Sequence, residues 1–180
     1  YRGNALSING FVARLFDPDV REGTWAGRAA VGWNTDRWGT NLRVLDIQDN
    51  FRPELGFVPR PGMFCYVADG RFSPRPKARW IRRLYLEPSL SYHPTQAGEL
   101  WTRTRGASFR VELESGDDLT VRHGDSYERL FAPFAIRTDQ TIPVGGYSFG
   151  NHGFDLTTFE GRDLQGRVSW TTGRFYDGRR

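Results

Sequence analysis

Two glutamates on one predicted strand are the first candidates for chemistry. Glu112 and Glu114 alternate with Val111 and Leu113, so both carboxylates would project from the same face of a β-strand. At about 3.3 Å per residue they would lie about 7 Å apart, within the range of paired glycosidase carboxylates. The alternative is structural, with both glutamates forming the acidic half of an ion-pair network with Arg110 and Arg122. We favour that alternative and predict no enzymatic activity.

The remaining chemistry-bearing residues are sparse. His93, His123 and His152 show no metal-binding spacing, and we interpret them as histidines of three separate turns. Cys65 is the only cysteine, so no disulfide can form within the chain, and we interpret it as a small buried hydrophobe. Motifs of serine hydrolases, phosphate-binding loops and calcium loops are missing. The sequence therefore predicts no metal and no cofactor.

The composition favours short β-elements in one architectural unit spanning residues 1–180. The hydrophobic fraction is 38%, and 21 glycines and 10 prolines interrupt the chain often enough to limit each element to about ten residues. No run approaches the roughly 18 apolar residues of a membrane-spanning helix, but alternating strands can still cross a membrane. We expect about eight to ten strands.

The basic residues are almost all arginine and are spread along the chain. The formal charge is +4, Lys77 is the only lysine, and arginines recur from Arg2 to Arg180. A nucleic-acid interface would concentrate them on one face, so we predict no nucleic-acid partner. Arginine rows that line a polar interior fit this distribution, although genomic codon bias produces the same excess over lysine.

A period of two dominates the sequence. Leu6, Ile8, Gly10 and Val12 share one strand face, and a hairpin with Thr35 and Asp36 in its loop would place Trp33 opposite Trp38. A second hairpin, with strands 108–115 and 119–122, would turn at 116–118 and place Glu112 opposite Arg122. A further turn is expected at 150–153, and Arg167 alternates with Leu164, Val168 and Trp170.

The segment 50–62 breaks this alternation because its three prolines cannot donate to a β-ladder. We predict an irregular loop at the rim of the sheet or folded over its polar face. In the second arrangement Glu54 and Arg60 would line or narrow a lumen. In the alternative, a surface loop, Phe51 and Phe57 would only pin the segment to the rim.

Several stretches resemble one family of outer-membrane barrels, catalogued as a domain of unknown function, that follow a carbohydrate-binding family 9-like module. The run from Asn50 to Arg60 is similar to the family's Asn-Pro-Glu-Leu-Gly-Phe-Val-x-Arg, and 142–149 and 173–179 are similar to two later family segments. The matching positions of the first run are Asn50, Phe51, Pro53, Glu54, Leu55, Gly56, Phe57 and Arg60. The resemblance implies no catalytic residues.

These observations together predict an all-β chain of antiparallel up-and-down strands that forms part of a larger transmembrane β-barrel. The resemblance implies an outer-membrane location, contact with membrane lipid and further strands beyond this chain. Uptake or surface binding of a polar or carbohydrate-derived ligand would follow, with Arg110, Glu112, Glu114, Arg122 and Arg167 lining the interior; the oligomeric state stays open.

The alternative is a soluble β-sandwich or lectin-like carbohydrate-binding module. In a barrel, apolar positions such as Leu86, Val111 and Val168 would be exposed while Arg110 and Arg122 turn inward. In a sandwich the same apolar side chains would be sealed under a second sheet.

Overall fold

A computed structural model describes residues 5–53, 56, 58, 60–176 and 178–179, and all its regular elements are strands. Within that part of the chain no helix is long and apolar enough to cross a membrane. Twelve strands are present in the described residues. They are β1 (Leu6–Arg14), β2 (Trp25–Asn34), β3 (Trp38–Ile47), β4 (Met63–Phe72), β5 (Ile81–Pro94), β6 (Leu100–Leu113), β7 (Asp118–Leu130), β8 (Phe134–Arg137), β9 (Gln140–Ile142), β10 (Gly145–Thr157), β11 (Arg167–Phe175) and β12 (Gly178–Arg179).

Ten of these strands form one antiparallel sheet in the order β1-β2-β3-β4-β5-β6-β7-β10-β11-β12. Each strand of this sheet pairs with the strand that follows it in the chain, except that β7 pairs with β10; this is the up-and-down arrangement that the alternating sequence predicted. The remaining two, β8 and β9, form a small hairpin in the connection from β7 to β10. The large sheet is open, since β1 pairs only with β2 among the described strands.

The connections fall into two sets at opposite ends of the sheet. The A end carries 35–37, 73–80, 114–117 and 158–166, and the B end carries 15–24, 48–62, 95–99 and 131–144. Three of these B-end connections, 15–24, 48–62 and 131–144, are longer than any of the four A-end connections. Described members of 50–62 form the irregular B-end segment that the three prolines predicted.

One side of the sheet, the apolar face, carries the hydrophobic members of each alternating strand. Register places Ile8 opposite Val31, Val31 opposite Leu42, and Phe109 opposite Val121, so apolar side chains form continuous cross-strand rows. These side chains are exposed: Ile8 is 73% accessible and Val168 is 57% accessible. Leu86 is also exposed, while Leu84, Val111 and Leu113 are half-buried.

No second sheet covers the apolar face within the described chain, because every strand packs only on its hydrogen-bonded neighbours. Consequently the described residues have a very small core. Its buried apolar members are Ala26, Ile47, Cys65, Ile142 and Phe149. Two stacked layers, the arrangement of a sandwich, are not present in this part of the molecule.

Both predicted hairpin registers were wrong, the β2–β3 register by two residues and the β6–β7 register by four. Trp33 lies opposite Thr40, and Trp38 lies opposite Phe72 of β4, with the two rings 4.3 Å apart. The turn lies one residue later than predicted, because Thr35 bonds to both the N–H and the carbonyl of Trp38 and leaves Asp36 and Arg37 as the loop. The tryptophans nevertheless share the apolar face.

In the β6–β7 hairpin, Glu112 lies opposite Asp118 and not opposite Arg122. The turn begins two residues earlier than predicted because Gly116 takes the left-handed conformation (φ 85°) that ends a three-residue hairpin loop. A third correction concerns 150–153, which the glycines predicted as a turn: these residues lie inside β10. Leu164, predicted in a strand, lies in the connection 158–166.

Candidate functional site

The side of the sheet opposite the apolar face, here called the polar face, carries the predicted site residues of the strands. Strand alternation places Arg110 and Glu112 of β6 on it, with Arg122 of β7 and Asp155 of β10. Because neighbouring strands are in register, their polar side chains form rows across β6, β7, β10 and β11. Charged and uncharged polar side chains of β3–β5, such as Asn41, Asp69 and Ser89, continue these rows toward the other edge.

A shallow polar groove crosses the middle of this face. It consists of two depressions of about 370 and 380 Å³ that share Glu87, Ser89 and Ser108. Gly106 and Gly124 lie directly opposite each other and form its floor. A methyl group on Gly124 would come within 2.8 Å of the Asn151 side-chain oxygen, so these glycines keep the groove open. Side chains lining the groove include Asn34, Asn41, Asp69, Arg71, Thr104, Arg122, Asn151 and Thr171.

Beside the groove, Asp155 forms ion pairs with two of the predicted arginines, Arg122 and Arg167. Its carboxylate accepts hydrogen bonds from Ser169 Oγ at 2.5 Å and Arg167 Nη2 at 3.1 Å, and it forms an ion pair with Arg122. Sequence reasoning identified Arg122 and Arg167 but paired Arg122 with Glu112. It missed Asp155 because that residue was placed beside a turn that does not exist.

Arg110 and Glu112 meet through Tyr85. The Arg110 guanidinium lies 3.7 Å from the centre of the Tyr85 ring, whose hydroxyl donates to Glu112 at 3.0 Å. Arg110 also lies 3.6 Å from Asp118, and Arg82 donates to Glu112 at 3.2 Å. Each oxygen of the Glu112 carboxylate therefore accepts one hydrogen bond, and the two bonds hold the carboxylate in position on the polar face.

Glu114 lies apart from the strand face on which the sequence placed it. Strand β6 ends at Leu113, and Glu114 follows in the exposed turn, where its carboxylate is 3.5 Å from Arg82 Nε. Glu112 and Glu114 therefore share one arginine at the A end. This arrangement matches an ion-pair network more closely than a glycosidase pair flanking a scissile bond.

The segment 50–62 reaches the polar face through Arg60. Its guanidinium donates to Thr102 Oγ1 at 3.3 Å, lies 3.7 Å from Glu128 and stacks 5.1 Å from the Trp101 ring centre. Asn50 anchors the other end by donating to the Glu22 carbonyl at 3.0 Å. Phe51, Pro53 and Gly56 lie between these anchors; Glu54, Leu55 and Phe57 are outside the described residues.

The histidines are in strands and not in turns. His93 of β5 bonds with Ser91 Oγ at 2.6 Å and lies 3.9 Å from the Cys65 sulfur. His123 and His152 are directly opposite each other on β7 and β10, with their Nδ1 atoms 3.2 Å apart. No group of three or more histidine, cysteine or carboxylate side chains suited to a metal occurs among the described residues.

Two carboxylates that sequence reasoning missed tie the A-end connections together. Asp36 forms a two-pronged ion pair with Arg75, and this hydrogen bonding lowers the pKa of Asp36 below its ordinary value. Asp117 accepts from Ser115 Oγ at 2.7 Å, from the Phe159 N–H and from Arg162, and these bonds lower the pKa of Asp117. Their only sequence signal was an acidic residue in a predicted turn.

Comparison of the chain with family models, curated proteins and solved structures gives no match.

Proposed function

We propose that this chain is a segment of a bacterial outer-membrane β-barrel whose polar face lines a water-filled interior that binds a polar, carbohydrate-derived ligand. The observation that carries the proposal is the uncovered apolar face of a large up-and-down sheet. Soluble monomers rarely expose a contiguous apolar patch larger than a few hundred Å², whereas a barrel presents such a face to lipid.

Aromatic side chains at both ends of the apolar face support the same proposal. Trp25 and Trp33 stand near the two ends of β2, and Phe64 and Phe72 near the two ends of β4. Each pair is separated by eight residues, about 26 Å along the strand, which suits the height of an outer-membrane apolar band. The apolar-face positions between them are small or hydrophobic, namely Gly27, Ala29 and Val31 on β2 and Tyr66, Ala68 and Gly70 on β4, as expected for a hydrocarbon-facing band between two aromatic girdles.

The polar face supplies the second half of the argument. Several charged side chains there form ion pairs, among them Arg122 and Arg167 with Asp155, and the glycine-floored groove presents amides, hydroxyls and carboxylates. Such groups recognise the hydroxyls of a sugar better than an apolar molecule. In the proposed barrel, further strands pair with the outer edge of β1, and Arg60 reaches from the 48–62 connection into the interior.

The resemblance of the Asn50–Arg60 run to barrels following a carbohydrate-binding family 9-like module points to the same location and ligand class. The proposal assigns no catalytic role, since the sequence carries no catalytic motif and Arg82 bridges the two candidate glutamates.

The barrel proposal can be tested with two neighbouring residues whose side chains point to opposite faces of the sheet. Val31 and Ala30 are adjacent on β2, with Val31 on the apolar face and Ala30 on the polar face. In the full-length protein with Cys65→Ser, Val31→Cys and Ala30→Cys would each receive an environment-sensitive fluorophore after reconstitution into vesicles. Nitroxide lipids should quench the label at 31 severalfold more than the label at 30.

Equal quenching at both positions, or failure of the protein to enter vesicles at all, would overturn the barrel proposal. A fully water-soluble protein with the label at 31 shielded from solvent would instead favour the sandwich or lectin-like module.

A further inference from the structure

The B-end half of the apolar face carries a basic cluster directly beside an apolar groove. Arg103 and Arg105 of β6 both bind Asp125 of β7, at 3.1 and 2.9 Å, and strand alternation places all three on the apolar face. Arg174 of β11 is exposed on the same face. Three guanidinium groups therefore accompany one carboxylate.

Two depressions adjoin at His152. The first, about 590 Å³, is an apolar groove between β5 and β11 lined by Leu86, Phe109, Leu119, Val121, Phe154 and Trp170, with His123 and His152 at its B-end limit. The second, about 480 Å³, is polar and is lined by Asp125, Ser148, Gly150, His152, Thr172 and Arg174. Among the residues that the structure describes, Asp125 is the only carboxylate that lines either depression.

We propose that these adjoining depressions bind one phosphorylated membrane lipid, with an acyl chain in the apolar groove and its phosphate in the polar pocket. The inference rests on the proposed membrane function, because the apolar face must meet a bilayer. The phosphate contacts Arg174, which lines the polar pocket, and the guanidinium of Arg105, which borders the pocket and is held there by Asp125. Guanidinium groups match phosphate oxygens with paired hydrogen bonds.

Charge complementarity selects the ligand class. Arg174 and Asp125 line the polar pocket, and Arg103 and Arg105 border it through Asp125, so guanidinium groups outnumber the carboxylate around it. A zwitterionic headgroup would add a cation to these positive charges, whereas a phosphate monoester brings only negative charge. Clusters of this kind at a membrane interface favour anionic lipids. The two histidine rings lie at the boundary of the apolar groove and polar pocket, where the ester and phosphate groups of a seated lipid would be.

Tryptophan quenching provides the experiment, since Trp170 lines the apolar groove. The full-length protein would be reconstituted into two kinds of phosphatidylcholine vesicle. One contains a minor fraction of phosphatidic acid brominated on its acyl chains, and the other contains the same fraction of brominated phosphatidylcholine. Phosphatidic acid should quench more strongly at equal fraction, and Trp170→Phe should remove the excess. Arg105→Gln with Arg174→Gln should weaken the preference about tenfold, as expected when charge-assisted contacts are lost.

The control variant is Arg43→Gln, which removes an exposed arginine from the polar face and should leave the preference unchanged. Equal quenching by both lipids in the unmodified protein would overturn the lipid site while leaving the barrel proposal intact. No quenching by either lipid would instead contradict membrane insertion itself. Loss of the preference on adding inorganic phosphate would identify a free-phosphate site and overturn the lipid assignment.

Discussion

The A and B ends of the sheet are built differently. At the A end, Asp36 ties the β2–β3 turn to Arg75 and Arg83, and Asp117 ties the β6–β7 turn to 159–162. At the B end the connections are mostly longer, and the apolar face itself becomes charged at Arg105 and Asp125. In the barrel proposed above, the A end with its short turns would face the periplasm, because outer-membrane barrels have short periplasmic turns and longer extracellular loops.

The largest expected effect comes from placing a charge at different heights on the apolar face. Leu42 lies at mid-strand between Val31 and Ala68, whereas Ser148 lies on the same face near the B end. Leu42→Arg should lower the free energy of unfolding in lipid vesicles by about 2–4 kcal/mol, because the charge would sit at bilayer depth. Ser148→Arg should cost about 0–1 kcal/mol.

Denaturant unfolding of the full-length protein in vesicles would measure both values. Similar losses for the two variants would show that the apolar face has no gradient of depth, and the orientation of the A and B ends would lose its basis.

A smaller effect should separate the turns of the two ends. Gly116 in the A-end turn and Gly98 in a B-end turn both have positive φ, 85° and 84°. A methyl group on Gly116 would lie 2.6 Å from the Phe159 ring, whereas one on Gly98 meets nothing within 4 Å. Gly98→Ala should cost about 1 kcal/mol for backbone strain alone, and Gly116→Ala about 1–3 kcal/mol more.

Chemical unfolding of the two variants provides the measurement. If both substitutions cost the same, the A-end turn does not pack against 158–166, and the described cross-tie between these connections would be wrong.

The strands could be predicted from the sequence because a period of two survives any shift of register by two residues. Trp33 and Trp38 were placed on the correct face although their pairing was wrong. Turn positions were less predictable: the glycines at 150–153 resembled a turn, but Gly153 serves close packing, since a methyl group there would lie 3.1 Å from the Trp170 carbonyl oxygen.

The sequence predicted which types of residue lie on the polar face, but not which of those residues pair with each other. Arg122 and Asp155 meet only because β10 pairs with β7 across the connection 131–144, which contains its own hairpin. No local pattern specifies that register. The pair formed by His123 and His152 was missed for the same reason. His123 was interpreted as a turn residue, and it faces His152 only in the folded sheet.

The smallest expected effect is a pH dependence confined to the A end. The pKa of Asp117 is lowered in the folded protein, so its ionised form stabilises the fold above the ordinary carboxyl pKa. That contribution is lost as pH falls through the lowered value, below about pH 4. Amides of 114–117 and 159–162 should then lose protection from hydrogen exchange, after correction for intrinsic rates. Amides of 95–99 should lose less, because a backbone hydrogen bond from Thr95 to Glu99 closes that B-end turn.

Asp117→Asn should give the A-end amides their low-pH exchange pattern already at neutral pH. An equal response of both ends to acid would mean that Asp117 does not hold the A end together.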